Sequence, residues 1–80
     1  NGPIDAVKHG LCQQAGFATK LTLYSEHALT MGSDSQAATY IQLMNSQTGE
    51  TAFGVGISSN ITRSSIRAIF SAINRLFFNE

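Results

Sequence analysis

Polar and apolar positions alternate with a period of two in three segments, residues 17–27, 37–44 and 51–57. This period is typical of strands whose two faces have different surroundings. Turn-forming residues separate the segments at Gly32-Ser33-Asp34-Ser35 and at Asn45-Ser46-Gln47-Thr48-Gly49. The pattern therefore predicts three antiparallel strands joined by two hairpins.

The alternation also predicts which side chains share a face. In the first strand, one face carries Phe17, Thr19, Leu21, Leu23 and Ser25, and the other carries Ala18, Lys20, Thr22, Tyr24 and Glu26. In the second, Ala37, Thr39, Ile41 and Leu43 oppose Ala38, Tyr40, Gln42 and Met44. In the third, Gly54 and Gly56 leave one face almost bare, which favours close approach by a second layer or a ligand, with a bulge or a twisted edge as the alternative.

Helical spacing flanks the strands. Residues 1–16 repeat apolar side chains at helical intervals, Pro3 suits a first helical position, and Gly16 ends the repeat. After the third strand, Asn60 or Thr62 is predicted to cap a last helix. The apolar stripe of that helix is formed by Ile66, Ile69, Phe70, Ile73, Leu76 and Phe77. The predicted fold is α+β, with a helix, a three-stranded antiparallel sheet and a second helix in a single domain, residues 1–80.

The net charge, the hydrophobic fraction and the cysteine count of the chain narrow the range of possible functions. Formal charge is zero and 12% of residues are charged, so no field exists to attract nucleic acid or an anionic membrane. Hydrophobic residues make up 42% of the chain, more than so short a monomer hides, so a homodimer is predicted. The single cysteine, Cys12, excludes an intrachain disulfide and fits a reducing compartment. We expect a cytoplasmic protein, or an organelle-matrix protein in a eukaryote, and a piece of a larger polypeptide.

The adjacent pair Glu26-His27 is the arrangement that most suggests acid/base chemistry. Neighbours on a strand point to opposite faces, so the two side chains cannot serve one substrate. No histidine spacing of the zinc type occurs, and no serine lies in a G-x-S-x-G turn. We therefore predict neither catalytic residues nor a metal site in this chain.

Small and aliphatic side chains gather at the predicted ends of the elements, which predicts a cavity for a small apolar body. They are Gly2, Ala28, Gly32, Ala37, Ala38, Gly54 and Gly56, beside Ile4, Leu21 and Ile57. Glu26 or Asp5, together with the amides at the amino end of the last helix, would hold the charged ends of a zwitterion.

Five segments carry a resemblance: N-G-P-I-D-A (1–6), Y-S-E-H-A-L (24–29), G-S-D-S-Q-A-A-T-Y-I (32–41), F-G-V-G-I (53–57) and S-S-I-R-A-I-F-S-A-I-N-R (64–75). In this order they resemble the carboxy-terminal regulatory domain of the α-isopropylmalate synthase family. The resemblance implies two βββα units, with residues 1–16 as the helix of the first unit and 17–80 as the second. It also implies a homodimer that binds leucine as feedback inhibitor. The acyltransferase, with its divalent metal and acetyl-CoA for a Claisen condensation, would lie in the catalytic domain of the same polypeptide.

The resemblance further implies effector-binding positions. They are Gly2, Ile4, Asp5, Leu21, Tyr24, Ala28, Ala37 and Ile57, with Glu26, Gln36 and Ala38 as second choices. Leu21 and Tyr24 have opposite parity on an ideal strand, so a shared ligand requires a bulge, a twist or a position between two subunits. Three alternatives stay open: a purely structural dimerisation domain, the isoleucine-binding regulatory domain of a citramalate synthase, and a small enzyme that uses Glu26 or His27.

Overall fold

The computed structural model describes residues 10, 18–31 and 34–78. Strand β1 spans Thr19–Met31, β2 spans Asp34–Asn45, β3 spans Thr51–Ser58, and the helix, α1, spans Ile61–Phe77. The strands form one antiparallel sheet in the order β1-β2-β3. The predicted arrangement of three strands and a helix is confirmed.

Two of the sequence predictions concern the first part of the chain, up to the end of β1. The first predicted helix, residues 1–16, lies outside the described residues except for Gly10, which is helical. The division into the end of one βββα unit and a complete second unit therefore remains a prediction. In addition, β1 runs on to Met31, past its predicted end at His27, so the first hairpin is longer than predicted.

Strand β1 departs from the predicted alternation at Thr22. The ladder pairs Leu21 with Leu43 and Leu23 with Gln42, so Thr22 is an extra residue on β1 and the register shifts there. The Thr22 hydroxyl donates a hydrogen bond to the Gln42 carbonyl at 3.1 Å. This is a β-bulge, and it exchanges the two faces of the strand beyond it.

Because the two faces of β1 exchange at Thr22, the side chains that share a face differ from those that the sequence predicted. Tyr24 pairs with Ile41, and Leu21 pairs with Leu43, so Leu21 and Tyr24 lie on the same face of the sheet. The prediction that Leu21 shares a face with Leu23 and Ser25 is wrong for this reason. A bulge is one of the three arrangements named above that would allow Leu21 and Tyr24 to contact the same ligand.

Helix α1 packs on one face of the sheet, which we call the covered face; we call the opposite side the open face. The core consists of Ile41, Leu43, Ala68, Ile69, Ala72 and Ile73, with Leu21, Leu76 and Phe77 packed against it. The buried side of α1 also carries Ser64 and Ser65, which the predicted stripe omitted. Phe70, which the stripe included, is 48% exposed, so that part of the prediction is wrong.

Two glycines of β3 set how closely α1 approaches the sheet. A Cβ atom on Gly54 would lie 2.5 Å from the amide nitrogen of Ala72, and one on Gly56 would lie 2.5 Å from that of Ala68. No Cβ atom tolerates such a separation, so only glycine fits at either position. The bare face of β3 is therefore covered by a second layer, the helix α1, which was one of the predicted alternatives.

The amino end of α1 is fixed by three polar side chains. The Asn60 side chain accepts a hydrogen bond from the Arg63 amide at 3.1 Å, so the predicted cap is Asn60 rather than Thr62. The Ser64 hydroxyl donates to the Ile61 carbonyl at 2.9 Å and lies 2.8 Å from the Thr39 hydroxyl. Since Ser64 and Thr39 are fully buried, their contact ties the first turn of α1 to the middle of β2.

Candidate functional site

A cleft of about 260 Å³ lies where the β1–β2 hairpin meets the start of α1. Its walls are Glu26, His27, Ala28, Gln36, Ala37 and Ile61. Ala28 and Ala37 are ladder partners, and their small side chains leave space between the sheet and Ile61. Walls that combine apolar side chains with one acid, one amide and one imidazole suit a small amphipathic molecule.

The cleft brings together some of the predicted effector positions. Two first choices, Ala28 and Ala37, line it, as do two second choices, Glu26 and Gln36. Tyr24 lies on the same face as Glu26, two residues earlier in β1. Leu21 also lies on the covered face, but nearer the far end of β1, where it packs against the core.

Other predicted positions lie elsewhere. Ile57 pairs with Ala38 across β2 and β3, and both lie on the open face, away from the covered face that carries Ala28 and Ala37. Ile57 is 43% exposed, whereas Ala38 is fully buried. Ile57 is not one of the residues that line the cleft in a single copy of the chain. Gly2, Ile4 and Asp5 lie outside the described residues.

The tyrosine beside the cleft has an altered acidity. Burial raises the pKa of Tyr24 above its ordinary value of 10, and hydrogen bonding and charge repulsion from Glu26 raise the pKa further. The Ser65 hydroxyl, on the first turns of α1, acts in the opposite direction on this pKa. Tyr24 thus lies between an acid of the cleft wall and the helix.

We expect the Tyr24 phenol to titrate above 10 and its pKa to fall when Glu26→Gln removes the carboxylate. Because the folded-state pKa is raised, folding stability decreases as pH rises above 10. Ultraviolet titration in a Tyr40→Phe background isolates Tyr24, since the chain has two tyrosines. Glu50→Gln, in the β2–β3 turn, serves as the control. An unchanged Tyr24 pKa in Glu26→Gln would contradict the contact.

The Glu26-His27 pair has the geometry that its position on a strand predicts. Glu26 pairs with Thr39 and faces α1, whereas the His27 ring packs edge-on against Tyr40 on the open face, with ring centroids 5.6 Å apart. The His27 Nε2 atom also lies 2.9 Å from the Ser25 hydroxyl. The two side chains therefore have separate partners, and the arrangement provides no acid/base dyad.

Three residues of the site were not among the predicted effector positions, and one of them, His27, lines the cleft. Ile61, the first residue of α1, forms one wall of the cleft, and Ser65 contributes to the environment of Tyr24. The predicted role of the helix amino end points to Ile61, because Ile61 follows the cap Asn60. Nothing in the local sequence marks Ser65 out from the other serines.

Comparison with known proteins identifies the family. The family model described as "LeuA allosteric (dimerisation) domain" matches residues 1–77. The chain belongs to this family. The predicted resemblance to the regulatory domain of α-isopropylmalate synthase is thereby confirmed.

Individual relatives of this LeuA domain agree with the family match. It is 48% identical over 75 residues to the 2-isopropylmalate synthase of Mycobacterium ulcerans and 47% identical over 75 residues to that of Thermobifida fusca. The 2-isopropylmalate synthase of Clostridium acetobutylicum is 44% identical over 75 residues. Each match covers 94% of the chain and 13% of the relative. The LeuA domain therefore corresponds to a small part of each synthase.

The described part of the chain also lacks the features of two other functional classes. Within it, no three side chains of His, Cys, Asp or Glu gather into a possible metal site. Within the same residues, no helix combines the length and the hydropathy that crossing a bilayer requires.

Proposed function

We propose that this chain binds leucine as the feedback inhibitor of a dimeric 2-isopropylmalate synthase. The observation that carries the proposal is the cleft of about 260 Å³ between Ala28, Ala37 and Ile61, with Glu26 on its wall. Its volume falls just below the range of roughly 300–1,000 Å³ that drug-sized ligands occupy, so one amino acid is a suitable size. The family description, which joins allostery with dimerisation, supports this role.

Each part of leucine has a matching group at the cleft. The two alanines and Ile61 would enclose the isobutyl group, and the Glu26 carboxylate would bind the ammonium. The carboxylate of leucine would bind near the amino end of α1, where the amides of Ile61 and Thr62 precede the first hydrogen bond within the helix. The apolar walls and the two charged ends together favour a zwitterion with an aliphatic side chain.

The remaining predicted positions belong to the same proposal. Gly2, Ile4 and Asp5 would border the effector from the start of the chain, and Tyr24 would support Glu26. Leu21 would act through the core beneath the sheet rather than by direct contact. Ile57 and Ala38 lie on the open face, so they would contribute only if a second copy brought that face to the ligand.

The catalytic chemistry belongs to the rest of the synthase. We propose that an acetyl-CoA-dependent Claisen condensation, with its divalent metal, takes place in the catalytic domain of the same polypeptide, and that this chain performs no step of it. Leucine would change turnover by binding one arrangement of the dimer more tightly than another. Under this proposal, none of the residues of the cleft binds acetyl-CoA or the metal.

Calorimetric titration of the intact synthase that carries this chain tests the proposal. Leucine should bind saturably and inhibit turnover, and Glu26→Gln should weaken binding by at least about tenfold because a charge-assisted hydrogen bond is lost. Glu50→Gln is the matched control, since Glu50 is an exposed glutamate remote from the cleft. An unchanged leucine affinity in Glu26→Gln would remove Glu26 from the site.

The same titration separates the competing functions. Preference for isoleucine over leucine would favour the regulatory domain of a citramalate synthase. Absence of binding by leucine, isoleucine and valine would leave a purely structural dimerisation domain. Condensation activity that depended on Glu26 or His27 in the absence of leucine would favour the small enzyme.

A further inference from the structure

A groove of about 450 Å³ lies on the exposed side of α1, and we call it the outer groove. Its walls are Arg67, Phe70, Ser71, Asn74 and Arg75. It shares no residue with the cleft at the end of the β1–β2 hairpin. Its volume lies within the range of roughly 300–1,000 Å³ that small-molecule ligands occupy.

The helix that carries the outer groove is positively charged. It contains three of the five basic residues of the chain, Arg63, Arg67 and Arg75, and none of the five acids. Arg67 and Arg75 line the groove, and the other polar walls, Ser71 and Asn74, are neutral. The guanidinium groups donate hydrogen bonds and accept none. These walls therefore favour an anion over a cation or an uncharged molecule.

One of the two arginines is held in place by the edge of the sheet. An Arg67 Nη1 atom donates to the Ile57 carbonyl of β3 at 2.6 Å. This contact occupies one N–H of the guanidinium and leaves the others for a ligand. Because the side chain is already restrained, it loses less conformational entropy when a ligand binds.

The spacing of the two arginines indicates how many anionic groups the ligand carries. Arg67 and Arg75 are eight positions apart, which corresponds to about 12 Å along the helix axis. Two cations at this separation suit two anionic groups joined by a short chain better than one compact anion. Phe70 lies between them in sequence, is 48% exposed, and offers an apolar surface to the joining chain.

We propose that the outer groove binds a small aliphatic dicarboxylate, with one carboxylate on Arg67 and the other on Arg75. The Asn74 amide and the Ser71 hydroxyl donate further hydrogen bonds, and the methylene chain lies against the Phe70 ring. Since both arginines are exposed, solvent screens their ion pairs, and the dissociation constant is in the millimolar range. The site is separate from the cleft and does not depend on the binding of leucine.

Nuclear magnetic resonance titration of the 80-residue chain with adipate tests the proposal. In about 0.15 M salt, where charges are screened over roughly 8 Å, the amide signals of residues 67–75 should shift saturably. Those of Ala28 and Ala37 in the cleft should not shift. Hexanoate has the same chain length and a single carboxylate, so it should bind about fivefold more weakly, the upper end of what an exposed ion pair contributes.

Arginine variants test the two contacts separately. Arg67→Gln and Arg75→Gln should each raise the dissociation constant of adipate by about fivefold. Arg63→Gln is the matched control and should leave it unchanged, since Arg63 is an exposed arginine of the same helix that does not line the outer groove. If circular dichroism shows that Arg67→Gln loses structure with its contact to Ile57, Arg75→Gln decides by the same criterion.

Four results would overturn the proposal. Shifts that do not saturate, or an equal effect of Arg63→Gln and Arg75→Gln, would mean that adipate is attracted only diffusely to the helix. Inorganic phosphate that bound as tightly as adipate would indicate a site for one compact anion. A polyglutamate peptide that bound saturably where adipate did not would indicate an acidic protein partner. Failure of leucine to bind changes none of these results.

Discussion

Gly54→Ala is expected to lower the free energy of unfolding by about 3 kcal/mol, at the upper end of overpacking costs. The new Cβ atom would lie 2.5 Å from the amide nitrogen of Ala72 and 2.8 Å from its Cβ atom. The nearest obstacles are backbone atoms of α1, which cannot rotate away as a flexible side chain can. The helix must therefore move outward by roughly 1 Å, and a gap of that size forfeits about a quarter to a half of each dispersion contact.

The loss is large in relation to the whole molecule. At roughly 0.05–0.15 kcal/mol per residue, a chain of this length has about 4–12 kcal/mol of stability in total. Urea denaturation followed by circular dichroism measures the change. Gly56→Ala should behave alike, since its Cβ atom would lie 2.5 Å from the amide nitrogen of Ala68.

A glycine in the β2–β3 turn provides the control. Gly49 has a φ of 81°, and a Cβ atom there would meet nothing within 4 Å. Gly49→Ala should therefore cost only the backbone strain of the left-handed conformation, about 1 kcal/mol. If Gly54→Ala cost no more than Gly49→Ala, the separation between α1 and the sheet would not be the reason for glycine at position 54.

The parts of the fold that sequence predicted well are those that local pattern determines. Alternation over residues 37–44 and 51–57 assigned the faces of β2 and β3 as the ladder has them. The turn at Asn45–Gly49 and the cap at Asn60 have the residue types that these positions favour. In each case the information lies within a few residues of the feature that it specifies.

The position of the bulge in β1 could not be predicted because its cause lies elsewhere in the chain. Threonine is a good strand former, so Thr22 carries no local sign of an interruption. The partner that receives its hydroxyl hydrogen bond is Gln42, in another strand. Only the pairing of β1 with β2 shows that the faces exchange at this residue.

The buried side of α1 was misjudged for a related reason. A periodicity of large apolar side chains favours Phe70, but the glycines of β3 require small residues opposite them. Ala68 and Ala72 fill that role, and both are fully buried. The constraint belongs to the pairing of helix and sheet, and a helix examined alone does not reveal it.

The candidate site likewise combines residues that the sequence predicted with one that depends on how distant segments pack. Ala28 and Ala37 were predicted from the resemblance, and the β1–β2 ladder places them opposite each other. Ile57 was predicted with them but lies on the open face. Ile61 completes the cleft only because α1 folds back over the end of the sheet. The ladder of one hairpin places Ala28 and Ala37 together, whereas Ala38 of the same hairpin and Ile57 of β3 lie on the other face of the sheet, and the binding role of all four stays a prediction.

Ala28→Phe is expected to raise the leucine concentration that half-inhibits the synthase by at least about 100-fold, the loss expected when a larger side chain occupies the pocket of a ligand. The phenyl ring that replaces a hydrogen of the Ala28 methyl group would occupy space in the cleft of about 260 Å³ that the isobutyl group of leucine would otherwise fill. Ala28 is exposed on the edge strand β1, so the protein should accommodate the new ring without a large loss of stability. Each variant's inhibition is measured relative to its own rate without leucine.

Ala18→Phe is the matched control for this substitution. Ala18 is also an exposed alanine, but it precedes β1 at the opposite end of the sheet, where its carbonyl accepts a hydrogen bond from the Ser46 amide. It should leave inhibition by leucine unchanged, because a backbone contact tolerates a larger side chain. Equal loss of inhibition in both variants would place the effect on the dimer as a whole. Full sensitivity in Ala28→Phe would mean that leucine binds away from the cleft, whatever its affinity.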